Sequence, residues 1–133
     1  MEQKNTFPRW RGFNLPNMFS YYSARDFEEE DFKWISEWGF NFARIPLNYR
    51  LWTEENDIHK IKEDILRKID LVGEWGEKYG IHTCINFHRA PGYCVNNELP
   101  EKFNLWKDEE AVNAFCYHCG IFAERYTGIS SEI

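Results

Sequence analysis

The chain has 133 residues, the span of one domain, and its net charge of −6 with no long run of lysine and arginine argues against a basic groove for nucleic acid. Aromatic residues make up 18% of it, more than a single core absorbs, which leaves rings for a ligand such as a sugar, whose flat C–H faces dock on aromatic planes. Residues 1–5 lack the apolar stretch of a secretory leader and no apolar run reaches roughly 18 residues, so neither a membrane span nor export is expected, and the cytoplasm follows if the start is native.

In chain order the segments alternate between strand-like and helical character, the pattern of a parallel α/β sheet. Arg11 to Leu15 reads as a first strand closed by Pro16. Phe27, Phe32, Ile35 and Trp38 recur at near-helical spacing and predict a helix over 27–38, with Glu28, Glu29 and Glu30 at the positive end of its dipole and Gly39 as its stop. Phe40 to Ile45 reads as a strand buried on both faces and ended by Pro46, with Arg44 the odd charged residue in it. A second helix is predicted over 58–79, with Ile61, Ile65, Ile69, Val72 and Tyr79 on one stripe and the pairs Glu63/Arg67 and Asp64/Lys68 on a solvated face. Gly80 stops it.

The third strand, 81–87, is the most informative. Ile81, Thr83, Ile85 and Phe87 fall on one face and His82, Cys84, Asn86 and His88 on the other, because side chains alternate along a strand. The apolar face packs under helices and the polar face points inward, with His88 at the strand's C-terminal end, where barrel enzymes assemble their sites. A loop from Arg89 to Lys107 is long enough to be functional. A last helix over 108–126 is expected to bury a stripe of Val112, Phe115, Cys119, Phe122 and Tyr126. The chain then reaches Ile133 where a fourth strand would follow, and three βα units cannot close a barrel of eight strands and about 250 residues. Residues 1–133 are therefore expected to be one incomplete domain.

The run Arg11-Gly12-Phe13-Asn14-Leu15, the block Trp38-Gly39-Phe40-Asn41-Phe42-Ala43-Arg44-Ile45-Pro46, and the stretch from Tyr79-Gly80-Ile81 to Phe87-His88-Arg89-Ala90-Pro91-Gly92-Tyr93 together resemble glycoside hydrolase family 5 in order and spacing. The resemblance covers essentially the whole chain. It implies the N-terminal part of a (β/α)8 TIM barrel and a retaining β-glycanase of the endoglucanase type, acting on β-1,4-glucan or a related polysaccharide without a cofactor. It also implies two catalytic glutamates, at the ends of the fourth and seventh strands, with carboxyls ~5–5.5 Å apart. Neither has a counterpart here, so both are expected after Ile133 and this portion alone should be inactive. Asn97-Glu98 carries the letters of the acid/base motif but lies in the loop after the third strand, and is read as a chance match.

What the resemblance leaves in this chain is a supporting cast. Arg44 matches an arginine that holds the nucleophile carboxylate ionised and oriented, against the plainer reading of a structural ion pair. His88 matches a histidine lining the sugar cleft. Asn14 is read as structural. Tyr49, Trp52, Tyr93 and Trp106 are candidate sugar platforms, each weighed against simple packing. Cys116-x-x-Cys119 with His118 raises a metal or redox reading, but no second pair stands at zinc spacing, so these are expected to be reduced core cysteines and no metal is expected. The rival in a different class is a non-catalytic carbohydrate-binding or scaffold module. A doubly wound fold is disfavoured because no glycine-rich phosphate loop follows the first strand. The oligomeric state is not legible.

Overall fold

The computed structural model describes residues 8–55, 57–95 and 98–129. Its elements are β1 (Gly12–Asn14), α1 (Glu29–Glu37), β2 (Phe42–Asn48), β3 (Thr53–Glu54), β4 (Asp57–Ile61), α2 (Glu63–Tyr79), β5 (His82–Arg89) and α3 (Glu109–Arg125). The strands β1, β2 and β5 form one parallel sheet in that order, joined by crossovers through α1 and α2. This is part of a (β/α) barrel wall. Register places Asn14 beside Arg44 and Arg44 beside Cys84, so these three share a face.

The other face carries the core. Ala43, Ile45 and Leu47 alternate along β2 and are fully buried, under Phe32 and Ile35 of α1 and Leu66, Ile69 and Val72 of α2. Phe32 meets Trp75 with ring centroids 5.7 Å apart, and Glu29 ties the same two helices through Lys78 at 2.5 Å and the Tyr79 hydroxyl at 2.9 Å. Gly80 caps α2 in the left-handed region at φ 68°, which a side chain would oppose. Between α2 and α3 the contact is ionic: Arg125 donates to both carboxylate oxygens of Asp70 at 2.6 Å and to Glu63 at 2.7 Å. The charges on α2 are thus only partly a solvated face, and Lys68 pairs with Asp26 at 2.7 Å rather than with Asp64.

Three expectations are corrected. Pro46 does not end β2, which runs on to Asn48. The reason lies in the ladder: Arg44 C=O accepts from Leu15 N–H, and Asn48 N–H donates to Met18 C=O, so Pro46 turns its missing donor to the side where β1 has ended. Residues 58–61, expected as the start of a helix, lie instead in β4, which pairs with β3 in a small antiparallel hairpin. Lys62 N–H closes that hairpin on Trp52 C=O at 2.8 Å, and Trp52 is pinned by burial against Phe87 and Phe122, each at 5.3 Å. Finally, α3 buries Ala111, Ala114, His118 and Phe122, leaving Val112 and both Cys116 and Cys119 exposed. The core-cysteine expectation is corrected: the helix turns its histidine inward because Ile58 C=O is there to accept its Nε2–H at 2.5 Å.

Candidate active site

The polar face of the sheet gathers its groups at the C-terminal strand ends. Arg44 donates to Asn86 Oδ1 at 2.6 Å and to Asn14 Oδ1 at 3.3 Å, and its Nη2 lies 3.2 Å from His88 Nδ1. A guanidinium can only donate, so Nδ1 must accept and the proton of the neutral imidazole sits on Nε2. Burial, then the charges of Arg44 and Arg89, hold the imidazole below the usual histidine range. His88 is therefore neutral at pH 7, with one N–H directed away from Arg44. Among the described residues no carboxylate pairs with Arg44. Asn14, expected to be structural, is one of the amides that hold the guanidinium.

The end of β5 is bulged. Leu47 pairs with Phe87 but Asn48 pairs with Arg89, so His88 is an extra residue opposite the β2 step. The bulge lets His88 face Arg44 while the next side chain, Arg89, turns into the interior at 1% exposure. Arg89 pairs with Glu98 and lies over the Phe19 ring at 4.5 Å, and Phe19 also meets His88 edge to face at 5.0 Å. Glu98 also accepts from the Ser20 hydroxyl and from Tyr21 N–H at 3.1 Å. This residue, half of the chance Asn97-Glu98 match, fastens the loop after β1 to the loop after β5; Asn97 lies outside the described residues.

A second carboxylate fastens the same loop to the turn that follows β2, residues Tyr49–Leu51. Glu101 accepts from the Tyr49 hydroxyl at 2.9 Å, from Arg50 at 2.5 Å and from Gly92 N–H at 3.2 Å. Burial and the neighbouring Glu101 push the Tyr49 phenol well above its ordinary range. Gly92 sits at φ 78°, and a Cβ there would come within 2.7 Å of Leu105 N and 2.8 Å of Ala111 Cβ, so only glycine lets the loop fold this tightly. Neither Glu98 nor Glu101 has a local sequence signature, because besides Arg89 and Gly92 nearby they take partners from distant parts of the chain, Ser20 and Tyr21 for the first and Tyr49 and Arg50 for the second.

The four aromatic candidates divide. Trp52 is 1% exposed and Tyr49 6%, so neither offers a face to a sugar, and the expectation of platforms at these two positions gives way to core packing. Tyr93 and Trp106 are 42% and 78% exposed and meet edge to face at 6.2 Å. They line a depression of about 470 Å³ with Glu101, Lys102, Asn104 and Asp108 at its polar rim. Trp106 is held out by a local turn in which its N–H donates to Asn104 Oδ1 at 2.9 Å and Asn104 N–H donates to Asp108 at 2.7 Å. Among the described residues no group of three or more His, Cys, Asp or Glu could hold a metal ion, and no helix is long and apolar enough to cross a membrane.

A parallel βα sheet with an arginine–histidine–amide cluster at its C-terminal strand ends defines a barrel-type class of α/β protein. Comparison narrows it. The family model for cellulase (glycosyl hydrolase family 5) matches residues 1–131, and the chain belongs to that family. It is 35% identical over 122 residues to endoglucanase C of Acetivibrio thermocellus, covering 86% of this chain and 35% of that protein. To cellodextrinase A of Ruminococcus flavefaciens it is 34% identical over 99 residues, 74% of this chain and 29% of the relative. A solved glycoside hydrolase superposes with a TM-score of 0.86 at 38% identity over 93% of this chain and 38% of that one. Endoglucanase Cel5A of Thermotoga maritima gives 0.69 at 25% identity, over 91% and 37%. The chain thus spans about a third of the length of the relatives it matches.

Proposed function

We propose that the chain supplies the arginine–histidine wall and the first sugar-binding loop of a retaining β-glycanase whose two catalytic glutamates lie outside it. The observation that carries this reading is Arg44: a guanidinium fixed by two amide oxygens and one imidazole nitrogen, with no carboxylate beside it among the described residues. Such a group is preorganised to receive a carboxylate from across a barrel and to keep it ionised as a nucleophile. The neutral His88, with its proton on Nε2, offers that N–H to a sugar hydroxyl or to the attacking carboxylate.

In the retaining reaction one carboxylate attacks the anomeric carbon while the other protonates the departing oxygen, and water then releases the glycosyl group. Arg44 acts on the first of these by charge, His88 by hydrogen bonding, and the Tyr93–Trp106 surface by holding the substrate chain. The substrate class we infer is β-1,4-glucan or a close relative, in line with relatives named endoglucanase and cellodextrinase.

The test uses the 133-residue chain with soluble β-1,4-glucan. No release of reducing sugar is the expected result. Sustained hydrolysis by this chain would show that the chemistry resides in its own residues and would overturn the reading.

A further inference from the structure

The step of β5 that carries His88 has no register partner in β2, since Leu47 pairs with Phe87 and Asn48 with Arg89. A side chain at a bulge takes its direction from what it meets rather than from the ladder. The His88 ring meets Arg44 Nη2 at 3.2 Å through Nδ1, and the Phe19 ring edge to face at 5.0 Å. A contact at one nitrogen leaves the ring free to swing about it. Phe19 opposes that swing.

Phe19 lies half-buried in the loop after β1 and is itself held. The Arg89 guanidinium stands over its ring face, 4.5 Å from the centroid, where a planar cation is attracted by the π electrons. The two residues that follow Phe19 are tied to the same arginine through Glu98. That carboxylate pairs with Arg89 and accepts from the Ser20 hydroxyl and from Tyr21 N–H at 3.1 Å. Arg89 is 1% exposed, and a guanidinium so buried is costly unless a counter-charge meets it. Glu98 supplies that charge, so one ion pair clamps both the ring and the backbone of residues 19–21.

We propose that Arg89, with Glu98 as its counter-charge, is a positioning residue for the reaction: it fixes the Phe19 ring and, through that ring, the direction in which His88 presents its Nε2–H. The inference rests on the role given to His88 above and extends it to a pair that acts through another side chain. Charge works in the same sense, since after burial and Arg44 it is Arg89 that helps to keep the imidazole neutral.

The experiment measures kcat, KM and the unfolding midpoint of the intact barrel on soluble β-1,4-glucan. Phe19→Leu keeps the ion pair and an apolar side chain. Arg89→Met combined with Glu98→Gln removes both charges, so that neither is left buried alone. Each is expected to lower kcat about tenfold with KM nearly unchanged, the effect of a misplaced group. Arg89→Lys keeps a charge for Glu98 but not the planar face over Phe19; it should lose about threefold, and it carries the test if the double substitution does not fold. In a His88→Ala background the same changes should cost nothing further, because the group they position is gone. Losses that recur in full without His88, or a lower unfolding midpoint with kcat retained, would overturn the proposal and leave the pair as a fastening between two loops. If His88→Ala itself keeps the wild-type kcat, the role of His88 falls and the inference falls with it.

Discussion

Arg44 and Arg125 occupy opposite sides of the same sheet and are treated in opposite ways. Arg125, between α2 and α3, is bidentate on Asp70 and donates once to Glu63, and the Tyr126 hydroxyl donates to the same Asp70. Arg44, on the inner face, is held at three points by groups that carry no charge. An ion pair that is complete stabilises the fold; a guanidinium oriented but unneutralised stabilises little, and its charge remains available to a reacting group. The rim arginines, Arg50 and Arg89, belong with Arg125, since Glu101 and Glu98 meet them.

That contrast can be broken most sharply at Arg44. In the intact barrel, Arg44→Met is expected to lower kcat by about 10²–10³-fold, the scale on which removing a preorganised electrostatic group acts, with little change in unfolding midpoint. Loss of stability with kcat retained would move Arg44 into the same category as Arg125. Asp70→Asn should do the reverse: a loss of about 1–3 kcal/mol in denaturant unfolding, because Arg125 loses its paired acceptor, and no effect on oligosaccharide affinity. Trp106→Ala is expected to raise KM roughly three- to tenfold with kcat nearly unchanged, the mark of uniform binding from a ring outside the reacting centre.

A smaller effect follows from His118. Burial holds its imidazole below the ordinary value of 6.5, its Nε2–H is committed to Ile58 C=O, and the nearby His59 opposes a second charge. Above about pH 6.5 the ring is neutral in both folded and unfolded chains and its contribution is complete. As the pH falls below that, the unfolded chain takes up a proton that the folded one resists, and stability declines. Thermal unfolding followed from pH 8 to 5 should show this decline, and His118→Phe should flatten it; a parallel decline in the variant would assign the effect to other groups.

Much of the sheet was legible because its two faces differ so strongly. Alternation in β5 separates Asn86 and His88 from Ile85 and Phe87, and the same rule puts Arg44 opposite Ile45. These local periodicities survive folding, so Asn86 and His88 could be put on the inner face from the sequence, whereas Arg44 was singled out by the family resemblance and Asn14 was read only as structural. Trp52 and Tyr49 were not legible as core, since what buries Trp52 is Phe87 and Phe122, from elements 35 and 70 positions further along. The same holds for the bulge that separates His88 from Arg89, which depends on pairing with Asn48 rather than on any residue type. The α2 stripe misled for a different reason: Ile58 and Ile61 fit helical spacing and a strand equally, and only the pairing with Thr53 decides between them.

The most direct test of Arg44 as the partner of a nucleophilic carboxylate is the acid limb of kcat/KM against pH, in the intact barrel, for wild type and Arg44→Met. With the guanidinium gone, the carboxylate loses the charge that favours its ionised form, and the acid limb should move up by about one to three pH units. An acid limb that stays in place, in a variant that unfolds at the wild-type midpoint, would show that Arg44 does not act on the reacting carboxylate.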